Sequence, residues 1–61
     1  MARQPLLDVS AAAEALGTSV RHVRRLVDER RIPFIKVGGK VRFDRQRLDA
    51  WLDANTVEAR R

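Results

Sequence analysis

A mainly helical domain with one small β-hairpin, in the order helix, tight turn, helix, hairpin, helix, is the fold this sequence predicts. Three observations predict it. Only Gly17, Thr18 and Ser19 stand between two segments of helical character. At Pro33 the apolar period changes from that of a helix to that of a strand, and after Asp44 a helical stripe resumes. At 61 residues the chain makes one domain, 1–61, with an ordered core expected over about 6–54. A domain of this size buries only roughly 60% of the surface its unfolded chain exposes, so its core is thin.

Residues 1–7 hold few local signals beyond Pro5 and read as an extended or frayed lead-in. Asp8 is placed to cap a first helix, which Val9 opens and the run Ala11-Ala12-Ala13-Glu14-Ala15-Leu16 continues with high helix propensity. Gly17 ends it, because glycine enters the left-handed conformation without a Cβ clash. Ser19 is a second N-cap. Beyond it Val20, Val23, Leu26 and Val27 share one face at helical spacing, and Arg21, His22, Arg24, Arg25, Asp28 and Glu29 cover the rest. Pro33 disfavours helical geometry at Ile32, so this helix closes around Arg30-Arg31. Two helices joined through so short a glycine-containing link carry the signature of a helix-turn-helix.

The segments Phe34-Ile35-Lys36-Val37 and Lys40-Val41-Arg42-Phe43 flank Gly38-Gly39 and read as a hairpin. A two-residue turn pairs Val37 with Lys40 and Ile35 with Arg42, mixing apolar and basic side chains on one face. A three-residue loop over 38–40 pairs Val37 with Val41, Ile35 with Phe43 and Lys36 with Arg42, which separates the faces. Pattern favours the longer loop, although its usual geometry places the glycine last. Asp44 is expected to cap the final helix, with Leu48, Trp51 and Leu52 as its apolar stripe and Asp49 and Asp53 off it; from Asn55 onward the signals weaken.

Composition excludes several classes. With no cysteine there is neither a disulfide framework nor a thiolate ligand, and the single His22 cannot make a metal site alone. No stretch approaches the roughly 18 apolar residues of a membrane span, and residues 1–8 lack the apolar run of a signal peptide, so a cytoplasmic protein without a membrane partner is expected. Thirteen Lys and Arg against eight Asp and Glu give a net charge of +5. Residues 21–47 hold ten of the basic side chains and three of the acids, hence +7; the remaining three basic and five acidic residues give −2. That asymmetry is the footprint of a polyanion binder, set against the blander reading of a solvated, arginine-rich surface.

The residues Leu7-Asp8-Val9, Ala12-Ala13-Glu14, Leu16-Gly17-Thr18-Ser19, Val23-Arg24-Arg25-Leu26-Val27, Ile32-Pro33, Val37-Gly38-Gly39, Arg42-Phe43 and Leu48, Trp51, Leu52 together resemble the excisionase family of MerR-like winged helix-turn-helix domains, over about residues 6–53. The resemblance implies a winged helix-turn-helix fold and a non-enzymatic recombination directionality factor. Such a protein binds and bends double-stranded DNA at prophage attachment sites, at repeated sites side by side, and turns a phage integrase toward excision in the bacterial host cell. Its implied partners are attachment-site DNA, the integrase and neighbouring copies of itself on DNA, with no cofactor and no small-molecule ligand. Larger MerR-type regulators continue into a dimerisation helix and an effector domain. Here no sustained heptad pattern follows Leu52, so a monomer at each site is expected. A compact transcriptional repressor using the same surface is the competing reading. A protein-interaction module is a third, and it predicts only weak, non-specific DNA affinity.

The candidate DNA-binding residues are Ser19, Arg21, His22, Arg24, Arg25, Lys36, Lys40 and Arg42. Arginine in the major groove donates two hydrogen bonds to guanine O6 and N7, and Arg21 and His22 are expected to read base edges. Arg24 and Arg25 are open to either base or phosphate contact, since most protein–DNA hydrogen bonds go to the backbone. For His22 the bland alternative is an exposed imidazole with no role; for Ser19 it is a cap alone, though a cap can also face a phosphate. Lys36, Lys40 and Arg42 belong to a glycine-tipped wing that can reach a phosphate or a minor groove, and lysine there would equally protect a sheet edge. Trp51 and Phe43 are expected in the core, with Phe34 left open between core and base stacking. Asp49 and Asp53 lack a base, nucleophile or metal cluster and are expected as a solvated face, or as an acidic surface for the basic side of a neighbouring copy; no catalytic residue is expected.

Overall fold

The structure is a computed structural model that describes residues 5–57. Three helices and a two-stranded antiparallel hairpin follow in the order α1 (Val9–Leu16), α2 (Val20–Asp28), β1 (Ile35–Val37), β2 (Lys40–Arg42) and α3 (Arg45–Ala54). This is the mainly helical winged arrangement that the sequence predicts.

The helix boundaries are built from local hydrogen bonds. Asp8 accepts the Ala11 N–H at 2.8 Å, which opens α1. Gly17 closes it at φ 69°, its N–H donating to the Glu14 carbonyl at 3.1 Å while the Thr18 N–H reaches the Ala13 carbonyl at 2.9 Å. Those two bonds form a Schellman motif, satisfying carbonyls that the helix end leaves without a partner. The same motif ends α2: the Arg30 N–H donates to Val27 at 3.0 Å and the Arg31 N–H to Leu26 at 2.9 Å. Here the left-handed position is Arg30, at φ 56°. The helix therefore stops at Asp28, two residues before the point suggested by Pro33, and the stop is made by an arginine held in a conformation usually left to glycine. Its guanidinium lies 5.9 Å from the centre of the Phe34 ring, a cation–π contact.

Seven side chains form the core: Ala12 and Ala13 from α1, Val23 and Leu26 from α2, Ile32 from the link between α2 and the hairpin, Phe43 just after β2, and Leu48 from α3. The two alanines let α1 lie close against α2. Leu7, Val9, Leu16, Val20, Val27, Phe34, Val41 and Trp51 pack around this centre. Phe34 is thus tied to the core and capped by Arg30, which settles the choice left open for it.

The lead-in joins the fold at Leu7, whose N–H and carbonyl exchange hydrogen bonds with Phe43 at 2.8 Å each; residues 1–4 lie outside the described part. From α3, Trp51 donates its indole N–H to the Arg31 carbonyl at 2.9 Å, clamping α3 onto the link between α2 and the hairpin. Two expectations for α3 need correction. Asp44 sits at the N-cap, but its side chain makes no capping bond; it is turned to Arg47, with Oδ2 3.6 Å from Nε. Leu52 is 37% exposed, so the stripe of α3 that meets the core is Leu48 and Trp51. Residues 58–61 lie outside the described part, and α3 is followed directly by Asn55. Its side-chain amide donates to the Trp51 carbonyl at 2.8 Å, and the Thr56 hydroxyl donates to Leu52 at 2.9 Å.

The hairpin register corrects the preference for a three-residue loop. Ile35 pairs with Arg42, Lys36 with Val41 and Val37 with Lys40, around a two-residue Gly38-Gly39 turn. Both glycines have positive φ, 56° and 86°, as a type I′ turn requires, and that turn matches the twist of the strands it joins. The longer loop would also have set Lys36 directly opposite Arg42, a like-charge pair that destabilises a ladder. The mixed apolar and basic face that argued against the short turn does form, but it faces away from the core.

Candidate nucleic-acid interface

The nine residues of α2 place four candidates together. With Val23 and Leu26 buried and Val20 and Val27 packed beside them, Arg21, His22, Arg24 and Arg25 are all exposed on the other side. An open, shallow concavity runs over this side, lined by Ser19, the three arginines and His22, with Asp28 and Glu29 at its far end. Lys36, Lys40 and Arg42 do not line it; they stand apart on the hairpin.

At the near end, the Ser19 hydroxyl accepts the His22 backbone N–H at 3.1 Å. It satisfies one of the donors that the first turn of a helix leaves free, and the others stay available to an anion. Ser19→Ala should therefore destabilise the domain by about 1 kcal/mol, lowering the thermal midpoint by about 4–8 °C for a domain of this size. Thermal unfolding followed by circular dichroism checks this, and an unchanged midpoint would remove the cap from the account.

The arginines differ in what already holds them. Glu29 collects two of the cations: Arg25 Nε at 3.9 Å, one turn earlier, and Arg31 Nη1 at 3.1 Å. Arg25 remains 70% exposed in that pair, so the contact is worth no more than about 1 kcal/mol and a phosphate can displace it. Among the described residues Arg21 and Arg24 enter no ion pair and no side-chain hydrogen bond, which leaves the full guanidinium donor set of each facing solvent. On the hairpin Lys36 and Lys40 are exposed, whereas Arg42 is half-buried and donates from Nη1 to the Val41 carbonyl at 2.7 Å. Arg42 is thus the candidate whose donors are partly spent inside the fold.

The i, i+4 spacing of Arg25 and Glu29 is the sequence signal for the acidic end of the concavity. The same spacing marks Arg45 and Asp49, whose Nε and Oδ1 lie 3.6 Å apart. Asp49 is thereby partly neutralised, which weakens the acidic surface expected on α3. Among the described residues no group of three or more His, Cys, Asp or Glu is arranged to hold a metal ion, and no helix is long and apolar enough to cross a membrane.

Two helices packed through a three-residue turn, the second with an exposed arginine face, and a glycine-tipped hairpin after it define a helix-turn-helix protein with a wing. The chain matches the family model of a helix-turn-helix domain over residues 6–56, and it belongs to that family. Neither a curated protein nor a solved structure matches it. Membership implies DNA binding, with DNA as the partner, by a type of domain that is typically not an enzyme.

Proposed function

We propose that this chain is an excisionase-type architectural protein: a sequence-specific binder of duplex DNA that bends prophage attachment sites and directs a phage integrase toward excision. The observation that carries the reading is the arginine face of α2, where Arg21 and Arg24, in no ion pair among the described residues, stand beside His22 and Arg25 on a helix capped by Ser19. A helix of this kind fits a major groove about 12 Å wide, and an arginine there can hold guanine O6 and N7 together. Arg21 and His22 read base edges; Arg24 and Arg25 hold bases or phosphates; Ser19 and the first turn of α2 face a phosphate. Lys36, Lys40 and Arg42 bring the hairpin to the flanking backbone or minor groove. Helix-turn-helix domains of this family occur in excisionase-like DNA-binding proteins, which supports the role in recombination and, with it, side-by-side binding of neighbouring copies.

An electrophoretic mobility titration tests the proposal, using the host attachment-site fragment and a scrambled fragment at two salt concentrations. Stepwise shifts confined to attachment-site DNA, followed by stimulation of integrase-dependent excision on a plasmid substrate, are the expected result. A preferred site that overlaps a promoter, with excision unaffected, would replace the excisionase with a small transcriptional repressor. Equal and steeply salt-sensitive binding to both fragments would leave only the basic surface standing.

A further inference from the structure

The tip of the hairpin carries an apolar side chain that the fold does not use. Val37 ends β1, is 49% exposed, and is absent from the side chains that pack on the core. Its cross-strand partner is Lys40. Because Val41 packs against the core and Phe43 is buried, the observed register turns Ile35, Val37, Lys40 and Arg42 outward. A lone exposed valine is ordinary on a protein surface. This one differs by its place. It borders two glycines that add no side chains, and a Cβ built on either would meet nothing within 4 Å, so the tip is bare backbone flanked by one branched apolar group and one ammonium.

That shape and charge fit the floor of a minor groove. The groove is about 6 Å wide, its rims are phosphates, and proteins that enter it combine cations with apolar wedges. We infer that Val37 is a minor-groove contact that sets base preference beside the major-groove site, its methyl groups on the groove floor and Lys40 on the phosphate rim. The inference rests on the DNA-binding reading proposed above and adds a residue to it. The chemistry gives it a direction. A G·C pair projects the guanine 2-amino group onto that floor, and an A·T pair does not. Methyl groups offer that donor no acceptor while shutting out water, so G·C is disfavoured under the wing.

Inosine separates this from major-groove readout, because an I·C pair keeps the major-groove pattern of G·C and lacks the 2-amino group. Fluorescence anisotropy titrations with poly(dA-dT), poly(dI-dC) and poly(dG-dC) duplexes, which need no knowledge of the natural target, are the test. Wild-type protein is expected to bind poly(dI-dC) about three- to tenfold more tightly than poly(dG-dC), the effect of burying one or two methyl groups, while poly(dA-dT), which lacks the guanine O6 and N7 that Arg21 reads, reports the major-groove contact separately. Val37→Ala should bring that ratio toward one without moving the thermal midpoint. Val37→Thr, which keeps the branched shape that strands favour, should lower it in part. Lys40→Ala should weaken all three duplexes alike. An undiminished ratio in Val37→Ala would overturn the inference, as would poly(dI-dC) behaving like poly(dG-dC). So would loss of stepwise binding in Val37→Ala with base preference intact, which would place Val37 against a neighbouring copy. Failure of the wild type to bind any of the three would remove the DNA-binding reading itself, and the inference with it.

Discussion

Phe43→Ala is expected to unfold the domain at ambient temperature. Phe43 is fully buried and is among the largest fully buried side chains, in a core of seven residues of which two are alanines. Truncating a buried phenylalanine costs about 3–5 kcal/mol. A 61-residue chain at the usual 0.05–0.15 kcal/mol per residue holds about 3–9 kcal/mol in total, so one substitution consumes most of the margin. The backbone compounds the loss. Phe43 exchanges both hydrogen bonds with Leu7, and it leads directly into Asp44 and α3, so the lead-in, β2 and α3 meet at this one residue. Urea titration followed by far-ultraviolet circular dichroism would show no cooperative transition for Phe43→Ala. Phe43→Leu, which keeps most of the volume, should retain a transition at lower denaturant. A Phe43→Ala protein with a midpoint near that of the wild type would mean that the α1–α2 pair is stable without the hairpin.

The features that the sequence disclosed were those set by chemistry within one turn of chain. Asp8, Ser19 and Gly17 act on backbone groups three or four residues away, and each does in the structure what its position suggested. The valine stripe of α2 likewise placed the arginines outside. The features that stayed hidden depend on groups distant in sequence or on a choice between near-equal local options. Trp51 finds the Arg31 carbonyl across twenty residues, and Leu7 finds Phe43 across more. Asp44 had a cap available and is drawn to Arg47 instead. Arg30 ends α2 in a glycine-like conformation, with Leu26 and Ile32 buried on either side of the turn and its guanidinium over Phe34. For the hairpin, facial segregation was the wrong criterion. In so thin a domain only one side of the hairpin is packed, so turn geometry decides the register and the outward face tolerates whatever mixture results. In the candidate site, exposure was legible and partnership was not: periodicity put Arg21, Arg24 and Arg25 on the surface together, and Glu29 then set Arg25 apart from the other two.

That difference ranks the arginines. Under the proposed function, Arg21→Ala should cost about 1–3 kcal/mol on a duplex that the wild-type protein selects from a random pool, roughly a five- to 150-fold loss of affinity, the value of one bidentate guanine contact. The same substitution should change binding to a scrambled duplex far less, so the preference between the two relaxes. Arg25→Ala should cost less on the selected duplex, because Arg25 must first leave Glu29. Lys40→Ala should behave differently from both, weakening selected and scrambled duplexes equally and reducing the slope of log affinity against log salt by about one counterion. Anisotropy titrations over a series of salt concentrations separate these patterns. If Arg21→Ala lowers affinity for both duplexes by one factor and flattens the salt dependence as Lys40→Ala does, then Arg21 holds a phosphate, and base readout on α2 passes to His22 and Arg24, the remaining exposed donors without an ion-pair partner among the described residues.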